Sequence, residues 1–269
     1  MPSDPVPDDL WERIAPLLPP APQRRRRHLG RLRVPDRTAL AGVMYVLRTG
    51  VAWRDVPAET VGCSGVTAWR RLRDWTEAGV WPRLHAVLLD ELRRAGLLDL
   101  NDCAVDGSHV RALKRGDHVG PSPVDRARPG SKHHLIVDQH GTPLAVTITG
   151  GNRHDVTQLL PLLDAVPPIR GVRGRPRHKP RRLYADRGYD FDKYRRLLRK
   201  RGIKPMIARR GVAHGSGLGK TRCVVERTFA WLHQFKRLRI RYERRGDLHQ
   251  SLLELACSLI CLRRLRTSF

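Results

Sequence analysis

The sequence predicts an α/β chain led by a short all-helical segment, and three observations carry that expectation. Residues 1 to about 98 read as helices with short breaks and show no strand alternation. From about Leu100 the pattern changes to strands alternating with helices. A length of 269 residues suffices for one substantial α/β domain plus a smaller one. The expected division is therefore 1–98 and 99–269, the second built on a mixed five-stranded sheet with flanking helices.

A first helix is expected near Asp8 to Leu18, followed by the basic stretch PPAPQRRRRHLGR, a solvated linker or a phosphate clamp. A second runs from about Asp36 to Arg48 and stops at Gly50. A third starts with Ser64 as N-cap and ends at Gly79, with Val66, Trp69, Leu72 and Trp75 as a buried stripe and Thr67, Arg70, Arg71 and Asp74 on its other face. Two short helices joined by a turn, the second presenting arginines, suggest a helix-turn-helix-like DNA reader. A helical bundle with a solvated charged face is the alternative.

Strands follow near Cys103 to Ala112, His133 to Asp138 and Leu144 to Thr149, then a helix near Val156 to Ala165. A strand at Arg182 to Ala185, a helix around Phe191 to Arg201, a strand at Lys204 to Ala208 and helices near Arg222 to Leu238 and Leu248 to Leu265 complete the pattern. Three strands, a helix, then alternating strand and helix is the order of a ribonuclease H-like fold. The Gly/Pro-rich stretches 113–131, 170–180 and 211–219 read as loops.

Lys and Arg total 52 against 26 Asp and Glu, a formal charge of +26 spread along the whole length. Such a field favours a polyanion. A membrane-surface protein would need an amphipathic anchor or lipidation signal, and MPSDPVPDDL offers neither; no apolar run reaches a membrane span and no signal peptide appears. The expectation is a cytoplasmic protein. The five cysteines, with no CxxC pair, indicate neither a disulfide framework nor a zinc site and read as small buried apolar residues.

Three carboxylates stand where metal-dependent phosphoryl transfer needs them: Asp106 in CAVDGS, Asp186 in LYADRGYD and Glu226 in RCVVERTF. The first two follow β-branched or aliphatic runs, which puts them at strand ends; the third lies in helical periodicity. In-line attack on a phosphodiester needs an activated oxygen nucleophile and a stabilised leaving oxygen, which two Mg²⁺ ions roughly 4 Å apart supply together. Asp106 is the natural bridging acid, with Asp186 and Glu226 as its partners. Gly188 would let the backbone turn beside Asp186, and Tyr189 would pack on DNA or on the core. Along the Glu226 helix, Val225, Phe229 and Leu232 form an apolar arc, while Arg222, His233 and Arg237 lie close to the Glu226 direction. An ordinary surface pair of Arg222 with Glu226 is the bland alternative.

These motifs resemble the DDE transposases of bacterial insertion sequences, in the group numbered five of the four-and-five superfamily. LRTGVAWRDVP resembles the family's N-terminal block; VDGSHVRA, GSKHHLIVD and ADRGYD its first and second catalytic regions; RCVVERTFAWLHQFKRLRIRYE the third. The resemblance implies Asp106, Asp186 and Glu226 as the catalytic and metal-binding triad and Arg222 as the arginine four residues before the glutamate. It further implies Mg²⁺ as cofactor with Mn²⁺ as substitute, and DNA as partner: the terminal inverted repeats of an element and a target, engaged by a homodimer or larger assembly. Two positions depart from the superfamily signature, Gly219 in place of a tyrosine and His233 in place of a lysine. Arg237 is expected to supply the phosphate contact instead, and Arg222, His233, Lys236, Arg237, Arg70, Arg71 and Tyr189 are the expected DNA contacts.

GSGLGKT is not a P-loop, because His214 stands where the phosphate cradle requires glycine. A non-catalytic DNA-binding relative explains the charge but not three placed acids, and a ribonuclease H-like nuclease without strand transfer leaves the helical segment unexplained. Asp138, Asp155 and Asp192 are alternative site acids. GNRHD at 151–155 is either a DNA-contacting loop or a surface turn, and Lys132, His133 and His134 either a phosphate-contacting strand or a solvated edge.

Overall fold

The computed structural model describes residues 5–21, 32–211 and 218–267. The expectations placed on 22–31 and 212–217, the basic clamp and His214 among them, lie outside the described residues. Helices α1 (Asp8–Ile14), α2 (Asp36–Thr49), α3 (Ala58–Val61), α4 (Gly65–Glu77) and α5 (Val80–Arg94) come first. Strands β1 (Asp102–Ala112), β2 (Gly120–Pro121), β3 (Pro129–Asp138) and β4 (Pro143–Gly150) follow, then α6 (Leu159–Asp164), β5 (Arg182–Ala185), α7 (Asp192–Lys200) and β6 (Lys204–Ile207). The chain closes with α8 (Leu218–Gln234), β7 (Ile240–Arg241) and α9 (Gly246–Arg266).

Five strands form the body of the sheet in the order β4-β3-β1-β5-β6, with two-residue β2 and β7 added on β3 and β1. β3 runs antiparallel to both β1 and β4, whereas β1, β5 and β6 run parallel. The expected five-stranded mixed sheet is present, with the two short strands as additions.

Helix starts and stops follow local chemistry. Ser64 caps α4 by accepting the Thr67 amide at 3.3 Å, and Gly50 ends α2 in the left-handed region at φ 77°. The α4 stripe is different from the one expected: Leu72 and Trp75 are fully buried, but Val66 is 54% exposed and Gly65 and Ala68 face the core. At about 100° per residue, Val66 and Trp75 lie nearly opposite each other, so a run spaced by three cannot stay on one face over nine residues.

The helical segment and the sheet share one buried core that runs from Val6 to Leu265. Fifteen of the twenty-one residues of α9 are buried, which makes it a core helix rather than an amphipathic cover. It packs on β4 along one side and on α5 and α4 along the other. His85 on α5 adds a polar tie, its Nε2 lying 2.9 Å from the Pro143 carbonyl of β4; burial holds its ring neutral, at about 4, so the nitrogen donates.

A second tie is ionic and overturns an expectation. α8 ends at Gln234, and Arg237 turns inward, 4% exposed, instead of continuing the Glu226 face. Its guanidinium donates to Glu243 Oε1 at 2.7 and 2.9 Å and to the Val51 carbonyl at 2.9 Å, joining the α2 exit to the segment before α9. Arg237 is therefore no phosphate contact. Arg71 is likewise drawn in, bonded through Nε to Asp36 at 3.0 Å as a tie between α4 and α2.

Burial opposes ionisation of Glu243, but hydrogen bonds from His249 and Arg237 and the Arg237 charge outweigh it and hold the carboxyl at about 2. Its contribution to stability is thus fully present above the ordinary value of 4.5 and is lost progressively as pH falls from there through about 2. Arg237→Met strands Glu243 and is expected to cost about 3–5 kcal/mol in urea unfolding, much of it recovered in Arg237→Met/Glu243→Leu. A single-variant loss below about 1 kcal/mol would show that the clamp carries little.

Candidate active site

β1 holds the site together by changing partners along its length. Residues 102–104 pair in parallel with Arg182 to Tyr184 of β5, while the antiparallel ladder to β3 continues to Arg111. Asp106 and Asp186 each lie two residues beyond the last parallel pair, Ala104 with Tyr184, so the register sets them level on neighbouring strands. Asp106 is interior to β1, opposite Leu135, not at the strand's end; Asp186 stands just past β5. The place where β5 stops is what opens the edge beside Asp106.

Asp106 is part-buried, and burial is the main reason its carboxyl rises to about 6. The Gly107 amide, donating at 2.8 Å, and the charge of Arg222 act against that rise; the charges of Asp186 and Asp155 add to it. Asp186 Oδ1 is buried and accepts no hydrogen bond among the described residues. A Cβ on Gly188 would lie 2.8 Å from that oxygen, so this glycine makes room for the carboxylate rather than supplying an unusual φ.

Glu226 enters from α8, whose Val225, Phe229 and Leu232 are buried as the apolar arc required. Its carboxylate is exposed and accepts from Arg222 Nη2 at 3.0 Å, while Arg222 Nη1 lies 4.0 Å from Asp186 Oδ2. Arg222 thus bridges the second and third acids, more than the isolated surface pair that one helix would allow. Among the described residues no three His, Cys, Asp or Glu side chains are gathered as a metal cage. The donors nevertheless suit a hard divalent cation: all are carboxylate oxygens, one is an orphaned acceptor, and a guanidinium now neutralises two of them.

A fourth acid belongs to the neighbourhood. Asp155 lies in electrostatic reach of Asp106, and a Cβ on Gly107 would approach its Oδ1 to 2.8 Å. Lys132 Nζ holds it at 3.0 Å and also donates to the Arg153 carbonyl. Of the other two acids considered, Asp138 is fully buried and accepts backbone amides of His140 and Thr142 in the β3–β4 turn, and Asp192 pairs with Arg209 on the surface.

Several expected DNA contacts are redirected. Tyr189 is 2% exposed, and its phenol is pushed well above its ordinary value by burial and by Asp155, Asp106 and Asp186; it backs the acids and does not present a ring to DNA. Lys132, His133 and His134 are buried, so the strand is neither a solvated edge nor a phosphate track. His134 Nε2 meets Thr149 Oγ1 of β4 at 2.8 Å, and His133 Nε2 meets His249 Nε2 of α9 at 2.9 Å. His233 is part-buried against Phe229, while Lys236 and Arg70 are exposed. Four cysteines are buried as expected, and Cys223 is exposed.

In metal-free protein the Asp106 carboxyl should titrate near pH 6 by carbon-13 NMR. Its folded value lies above the ordinary 3.8, so the stability it contributes is complete at low pH and is lost as pH rises through about 6. Asp186→Asn should move the midpoint down and Arg222→Ala up, with burial keeping both above normal. A wild-type midpoint near 4 contradicts this electrostatic picture.

The transposase DDE domain family matches residues 99–261, and the family described as "Putative transposase of IS4/5 family" matches residues 6–85. The chain is 65% identical over 148 residues to "Putative transposase for insertion sequence element IS402" of Burkholderia cepacia, covering 55% of this chain and 70% of that protein. It is 54% identical over 119 residues to the IS402 uncharacterized 16.2 kDa protein of the same organism, covering 44% of this chain and 80% of that one. Among solved structures, the Mos1 strand transfer complex aligns over 88% of this chain and 78% of that one at 13% identity and a TM-score of 0.31. With the domain match spanning more than half its length, the chain belongs to the DDE transposases of bacterial insertion sequences, enzymes of metal-dependent DNA cleavage and phosphoryl transfer.

Proposed function

We propose that the protein binds the terminal inverted repeats of its own element, hydrolyses the phosphodiester there to free a 3′ hydroxyl, and directs that hydroxyl onto target DNA. The observation that carries this reading is the level placement of Asp106 and Asp186 on adjacent parallel strands, with Arg222 tying Asp186 to Glu226. The β4-β3-β1-β5-β6 order supports the ribonuclease H-like reading of the sheet.

Asp106, Asp186 and Glu226 would hold Mg²⁺, or Mn²⁺ in its place, which when bound activates the attacking oxygen and stabilises the leaving one. Arg222 neutralises Asp186 and Glu226 before loading and stands beside the scissile phosphate afterwards. Tyr189, buried within electrostatic reach of Asp106 and Asp186, backs the acids from the core side. Residues 1–98 act as the reader: α4 offers Val66, Thr67 and Arg70 from its first two turns, with Val66 and Arg70 exposed. Lys236 and His233 add contacts at the α8 end. Two ends brought together imply a homodimer or larger on DNA.

Purified protein is tested with Mg²⁺ and a labelled duplex carrying the repeats that flank its gene. Cleavage at the repeat boundary is expected for wild type, with losses of roughly a thousandfold or more for Asp106→Ala, Asp186→Ala and Glu226→Ala. Wild type and variants that cleave alike would overturn the triad. End binding should weaken steeply with salt, log K falling linearly with log salt, and Arg70→Ala should lower affinity.

A further inference from the structure

A second built groove lies away from the acids, where the helical segment meets the far end of β1. It encloses a cavity of about 530 Å³, within the roughly 300–1,000 Å³ of small-ligand clefts. Its aromatic walls are Trp53, in the 3₁₀ turn after α2, Trp69 of α4, and Tyr242 just after β7, all part-exposed. Its charged lining is Arg54, Lys114, Arg237, Arg244 and Arg245 against a single carboxylate, Glu243. That carboxylate is engaged with Arg237 and His249, Arg245 is paired with Asp247 and Glu77, and Arg54 lies 3.6 Å from Asp55, so the positive excess of the groove comes chiefly from the exposed Lys114 and Arg244.

Tight backbone approaches fix these walls. A Cβ on Gly65 would lie 1.6 Å from the Trp53 carbonyl oxygen, which locks the start of α4, and hence Trp69, against Trp53. A Cβ on Gly116 would lie 2.0 Å from the Arg244 carbonyl oxygen, which locks the loop bearing Lys114 against the segment bearing Tyr242 and Arg244. From inside, the buried Arg237 guanidinium sits 4.6 Å from the centre of the Tyr242 ring and 5.8 Å from that of Trp53. Arg73 lies 5.7 Å from the centre of the Trp69 ring, so each of the three part-exposed rings has a cation beside it.

We infer that this groove binds an unpaired nucleotide of a DNA strand, its base stacked on Trp53, Trp69 or Tyr242 and its phosphates held by Arg54, Lys114 and Arg244. Paired bases in a duplex cover one another's faces, so an aromatic floor with a cationic rim recognises a base out of the stack. The inference rests on the reading that the protein acts on DNA ends. At a rise of about 3.4 Å per residue, the six steps of β1 from Asp106 to Ala112 put the groove roughly 20 Å from the acids, about six base pairs of duplex. One strand leaving the cleavage point reaches it.

The test uses the full chain with single-stranded oligothymidylate of about twenty nucleotides carrying 5-iodouracil, beside the blunt repeat-end duplex. Irradiation should crosslink the single strand at Trp53, Trp69 or Tyr242, as mapped by mass spectrometry. Lys114→Ala/Arg244→Ala, two exposed positions, should weaken the single strand by about tenfold and the duplex by less than threefold. Trp69→Leu should lower crosslinking and single-strand affinity more than duplex affinity, its own unfolding midpoint beside that of wild type showing that the variant is folded. Crosslinks only outside the groove, or equal losses for both DNAs, overturn the groove while duplex cleavage leaves the end-processing reading intact. Failure to bind either DNA sinks both.

Discussion

The site depends on the two-sided pairing of β1. Its antiparallel ladder to β3 runs nearly the full strand, but its parallel ladder to β5 covers only residues 102–104. Between that point and Arg111, where β7 pairs, that edge of β1 carries no strand while the other stays fixed, so Asp106 is held by a rigid strand yet left open on the side where Asp186 arrives. The parallel register between β1 and β5 is what brings Asp186, just past the end of β5, level with Asp106 inside β1. α8 then needs only to cross that opening for Glu226 and Arg222 to join.

Charge is managed in two regimes. The exterior carries a large positive excess that suits a polyanion. The interior carries acids whose desolvation must be compensated, and the compensation differs by role. Glu243, in a structural position, is fully paired and its carboxyl is held low. Asp106 is incompletely paired and its carboxyl is held high, while Asp186 keeps an oxygen with no donor. Incomplete satisfaction at the sheet and full satisfaction at the clamp separate the acids proposed to take a cation from a joint that holds two segments together.

Coupling of the helical segment to the sheet runs through α9. Apolar on nearly every side, it has no solvent face to prefer and is buried between α5 and β4. His85 and Arg237 add directional bonds at either side of that contact. The aromatic groove forms along the same seam, its walls contributed by both parts of the chain.

Sequence alone determined the strands and helices whose periodicity is local, the N-cap at Ser64, the stop at Gly50, and the three acids with their order along the chain. These follow from patterns within a few residues, where side-chain period and turn chemistry act. Only the tertiary structure decided which polar residues turn inward. Arg237, Arg71, His133 and His134 read as surface groups, yet each is covered because a partner distant in sequence accepts or packs against it, and the choice left open for Tyr189 between DNA and the core falls to the core. Asp155 was one acid among several until Gly107 and Lys132 placed it beside Asp106. A sequence specifies polarity at each position, but burial of a polar group is decided by whether the fold supplies its partner, and that is settled only when elements far apart in the chain meet.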